Sequence, residues 1–141
     1  MSTGLEIKVN KAGQLTVNGQ SYASARKTLL DRIASDRWNI EISQKDLNQI
    51  NEDIAKSVLA GNEMASDLRR AHLKRQDILA SYQADLAEAI AMLDEITAAK
   101  IAHKTEKLIS AAKADLAHAL DHYDAIITEK TRQLRQAQLT R

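Results

Sequence analysis

The sequence predicts a mainly α protein: a long antiparallel helical hairpin or coiled coil with a small N-terminal β-hairpin. Three observations predict it. The last 80 residues, from Asn62 to Arg141, contain no glycine, proline or cysteine, and these are the residues that most often punctuate local structure. Apolar side chains recur through them at spacings of three and four, the period of a helix face. By contrast, residues 5–17 alternate apolar and polar, and three of the four glycines lie before residue 20.

In the N-terminal stretch, Leu5, Ile7 and Val9 alternate with Glu6 and Lys8, and Leu15-Thr16-Val17 repeats the pattern after a glycine-containing turn. Such a pair reads as a β-hairpin, and Asn18-Gly19 marks a second turn. An isolated two-stranded hairpin is marginal in water, so this one must pack on the helices or on another chain. Ser21 or Ser24 can cap a first helix running to about Asp36, with Ala25, Leu29, Leu30 and Ile33 inward. Asp36-Arg37-Trp38-Asn39 reads as a connector in which Trp38 ties the hairpin to that helix. Ser43 then reads as the cap of a second helix, striped by Leu47, Ile50, Ile54 and Val58. This divides the chain into residues 1–42, the β-hairpin plus a short helix, and 43–141, the long helical region.

Gly61-Asn62 is the natural end or kink of the second helix. Beyond it a stripe runs through Ala65, Leu68, Ala71, Ile78, Tyr82, Leu86, Ala89, Leu93 and Ile96. A later set contains Ile101, Leu108, Ala112, Ala119, Tyr123, Ile126 or Ile127, and Leu134. Residues 102–107 carry no large apolar side chain and shift the phase of the stripe, which places a bend there. That bend sets the acidic block Asp85, Glu88, Asp94 and Glu95 against Lys107 and Lys113. It also gathers two basic clusters at one end: Arg69, Arg70, Lys74 and Arg75 with Lys130, Arg132 and Arg135. A continuous helix is the alternative, and it would need a partner chain along its length.

Composition narrows the function. The net charge of +1 provides no global field towards nucleic acid or membrane. Phe and Cys are absent, which removes thiol chemistry and thiolate metal sites and leaves little aromatic mass for a thick core. The N-terminal Met1-Ser2-Thr3 has no leader-like continuation, and no run reaches the ~18 apolar residues of a membrane span. A soluble, cytoplasmic protein is expected.

No phosphate-binding glycine loop, nucleophile elbow or cysteine nucleophile is present. Asp115, His118 and His122 share a helix face at a metal-compatible spacing, but they flank the apolar stripe where polar residues belong, and no cofactor or metal is expected. The expected function is therefore a non-enzymatic protein–protein interaction or assembly protein. It would act as an adaptor, structural component or stoichiometric inhibitor of a larger complex, and its size and style suit an accessory protein of a virus or mobile element. The expected contacts are Trp38, Arg69, Arg70, Lys74, Arg75, Lys130, Arg132 and Arg135, with a protein partner and homo-oligomerisation. The alternative is a nucleic-acid-associated protein that uses the basic helical end.

Overall fold

The computed structural model describes residues 4–61 and 65–140. Met1 to Thr3, Asn62 to Met64, Arg141 and the side chain of Ala65 lie outside the described residues. The chain divides into two units, residues 1–100 and 101–141.

The first unit opens with an antiparallel sheet of β1 (Ile7–Val9), β2 (Leu15–Val17) and β3 (Gln20–Ser21), in that spatial order. The expected hairpin is β1 and β2, paired Ile7 to Val17 and Val9 to Leu15. A third strand follows because Asn18 and Gly19 both adopt positive φ, 50° and 79°, as a tight two-residue turn requires. Asn18 also ties the sheet edge: its backbone N–H donates to the Glu6 carbonyl at 2.8 Å, and its Oδ1 accepts from the Glu6 N–H at 2.7 Å. The alternation in β2 points Leu15 and Val17 inward, and both are buried.

Helix α1 (Tyr22–Leu59) follows directly, its start capped by the Ser21 hydroxyl, which accepts from the Ser24 N–H at 3.2 Å. It ends at Gly61, where φ is 67°, a left-handed conformation that favours glycine after a helix. Helix α2 (Ala65–Leu139) then runs for 75 residues. Within the first unit α1 and α2 form the expected antiparallel hairpin: Arg32 pairs with Asp85, and Asp46 with Arg75. Val17, Ala25, Leu29 and Ile96 form the core, with Leu5, Ile7, Tyr22, Met92 and Leu93 packed around it. The stripe predicted through Leu86, Ala89, Leu93 and Ile96 is thus the face that meets α1 and the sheet.

Three expectations are corrected. No connector interrupts residues 36–43, because Asp36 and Ser43, which read as punctuation, occupy core positions of one continuous helix and are buried. Trp38 does not tie the sheet to the helix; it stands on the outer face of α1, 63% exposed. The bend at 102–107 is absent, since α2 is unbroken there. It is α1 and α2 that pair, so Asp85 and Glu88 meet Arg32 rather than Lys107 and Lys113.

The second unit is the remainder of α2 alone. Its side chains from Ile101 to Thr140 are exposed, apart from His103 and Ala119, which are half-buried.

Candidate interaction surface

At 100° per residue, the large apolar side chains between residues 101 and 134 gather on one side of the helix, within about 120° of its circumference. They are Ile101, Leu108, Ile109, Leu116, Leu120, Tyr123, Ile126, Ile127 and Leu134, each between 41% and 63% exposed. Ala112 and Ala119 lie among them. The charged residues sit beside or behind this face: Lys104, Asp115, His122 and Glu129 along one flank, Glu106, Lys113 and Asp124 along the other. Lys130 is the single charged residue on the stripe itself. Residues spaced three and four apart are neighbours on a helix, so the face is continuous from Leu108 to Ile127, with Ile101 and Leu134 about two turns beyond its ends. The sequence revealed the stripe; what periodicity could not say is that it stays in water.

The other predicted contact residues are dispersed. Arg69, Arg70 and Lys74 are exposed on α2 in the first unit. Arg75 is half-buried and pairs with Asp46 at 3.4 Å. In the second unit, Arg132 grips Glu129 through two hydrogen bonds of 3.1 and 2.8 Å, and Lys130 and Arg135 are exposed. The pair with Arg132 holds the Glu129 carboxyl below its ordinary range. Without the bend near 102–107, nothing in α2 doubles back to gather the two clusters at one end.

The first unit also contains a cluster of titratable groups that sequence reasoning missed. Arg32 donates from Nε to Asp85 at 3.0 Å and from Nη2 to the same carboxylate, with Glu88 3.6 Å away. Asp36, one turn along α1 from Arg32, is buried and faces Asp85, and its Oδ2 has no conventional hydrogen-bond partner. Asp85, held by the Arg32 guanidinium and then by Asp36, is pushed down to about 2. Asp36 is raised, first by its hydrogen bond to Asp85 and then by burial. The Asp85 carboxylate and burial together disfavour the charged form of Asp36, while Arg32 favours that of Asp85. The apolar periodicity of the two helices gives no sign of this polar layer between them; only the polar identity of Asp36 at an apolar position could have flagged it.

Beside this cluster is a cleft of about 210 Å³ lined by Leu5, Val17, Thr28, Arg32 and Met92. It falls below the roughly 300 Å³ at which small-molecule sites begin, and its one charged group is already engaged by Asp85. Among the described residues no cluster of three or more metal-ligating side chains is formed, and no helix is long and apolar enough to cross a membrane. Comparisons with protein-family models, curated proteins and solved structures return no match to this chain.

Proposed function

We propose that this chain is a non-enzymatic protein–protein interaction or assembly protein. The first unit supplies a folded base, and the apolar face of residues 101–134 is the surface that engages another protein chain. A single observation carries this reading: the row of large apolar side chains from Ile101 to Leu134, all 41–63% exposed. That face spans about nine helical turns. Monomers rarely leave contiguous apolar patches larger than a few hundred Å² in water, and an amphipathic helix laid against another chain is a common recognition mode. An adaptor, structural component or stoichiometric inhibitor would each use it in the same way. Trp38 on α1 is a second contact, because exposed tryptophan is enriched where binding energy concentrates.

The nucleic-acid alternative rested on a basic end formed by two clusters, and the unbroken α2 removes the fold that would have formed it. What supports it is reduced to separate groups of lysine and arginine, some already paired with carboxylates.

The test is a comparison of the wild-type chain with Leu116→Glu/Ile126→Glu, two charges on the exposed face. Affinity capture from the native host, together with sedimentation of the purified chain, should show association that the double variant loses. A wild-type chain that stays monomeric and captures nothing the variant fails to capture would end the interaction reading.

A further inference from the structure

Building on the interaction role proposed above, we infer that the occupant of the 101–134 face is a second copy of this chain, lying antiparallel in a register that sets Ile101 beside Leu134. Pairing sites and charge both point to this arrangement. The positions Ile109, Ala112, Leu116, Ala119, Tyr123 and Ile126 are spaced three, four, three, four and three residues apart, the seam of a two-stranded coiled coil.

When a second copy is run in the opposite direction, one register satisfies the whole seam. Leu108 and Ile109 meet Ile126 and Ile127 of the second copy in one apolar layer. Ala112 lies opposite Tyr123, and Leu116 opposite Ala119. Each alanine therefore faces a large side chain, which fills the layer at a nearly even thickness. The symmetry axis falls between Ala117 and His118.

The flanks agree with this register to within two residues. On one side Lys104 comes beside Glu129 of the second copy, and Asp115 beside His122. On the other side Lys113 comes beside Asp124. Lys130, on the stripe, reaches Glu106. Like flanks face each other in an antiparallel pair, so these neighbours are real ones. Complementary charge of this kind fixes register and orientation more than affinity.

A parallel pair fails at the seam. It sets Ala112, Ala119, Tyr123 and Lys130 each against itself, which leaves thin layers at the alanines, a crowded one at the tyrosine and a repulsive one at the lysine.

The chain has no native cysteine, so single labels report unambiguously. Nitroxides placed at Ala117→Cys, Lys107→Cys and Thr128→Cys, all exposed positions, would be compared in the full-length protein by pulsed dipolar spectroscopy. Antiparallel pairing predicts the shortest separation between like labels at 117. The axial component should grow by about 3 Å for each residue of displacement, to about 30 Å at both 107 and 128. Equal separations at all three sites would mean a parallel pair and would overturn the register. Absence of intermolecular coupling would overturn self-pairing altogether. If the wild-type chain still captures a different protein in that case, the interaction role survives without it; if it does not, both fall.

Discussion

Residues 65–100 and 101–139 belong to the same helix and have the same alanine-rich, apolar-striped texture, yet their faces meet different surroundings. In the first stretch Ala89 and Ile96 are fully buried against α1 and the sheet; in the second, Ile101 and Leu108 are 62% and 63% exposed. Nothing in local propensity separates them. The difference is the length of α1, which at 38 residues supplies an antiparallel neighbour for the first stretch only. Apolar periodicity announces a face; the neighbour decides whether it is a core or an interface.

The largest expected effect is in the first stretch. Ile96→Ala removes a side chain with no exposure and should cost about 2–5 kcal/mol in denaturant unfolding. Leu134→Ala, at a concentration where the chain is monomeric, should stay within about 0.5 kcal/mol. Equal losses at the two sites would erase the contrast.

Next in size is the polar layer. Asp85 is held near 2, against an ordinary 3.8, so the stability it contributes is present above pH 3.8 and is lost as pH falls towards 2. Asp36 is shifted the opposite way. Its contribution is full below its unfolded value and is lost as pH rises through the raised folded value. Together they predict a fall in melting temperature below pH 3.8 as Asp85 is protonated, partly opposed by Asp36. Asp36→Asn keeps a donor towards Asp85 without the charge. It should melt higher than wild type at pH 7, where burial and Asp85 disfavour the Asp36 carboxylate; a lower melt would contradict that penalty. Arg32→Ala should lower the melting temperature at pH 7 by leaving Asp36 and Asp85 unneutralised.

Gly61→Ala places a side chain at φ 67° and should cost about 1 kcal/mol in the same unfolding assay, sharpening the assignment of the end of α1. The smallest effect belongs to Trp38→Ala. With Trp38 63% exposed, its removal should change stability by less than about 0.5 kcal/mol, while weakening whatever association it supports.

Much of this architecture is legible in the sequence, for identifiable reasons. The alternation of Leu5-Glu6-Ile7-Lys8-Val9, the Asn18-Gly19 turn and the missing punctuation after Gly61 are local signals, and each maps onto a strand, a turn or a helix. What was illegible depends on distant partners. Asp36 and Ser43 look like breaks because they are polar, but Asp85 and Arg32, some fifty residues apart, make room for Asp36 inside a continuous helix. Residues 102–107 look like a bend because their apolar stripe lapses, yet an uncovered helix needs no apolar residue on every turn. The candidate surface was visible as a stripe, while its exposure depends on where α1 stops.

An isolated helix draws little stability from propensity alone; in proteins most of it comes from packing an apolar face. The central claim is therefore tested most directly by hydrogen exchange across α2 at increasing protein concentration. Amides of residues 75–100 should be protected equally at every concentration, and those of residues 105–130 should gain protection as the chain becomes more concentrated. Protection of residues 105–130 that is independent of concentration, in the purified chain alone, would contradict a second copy on that face.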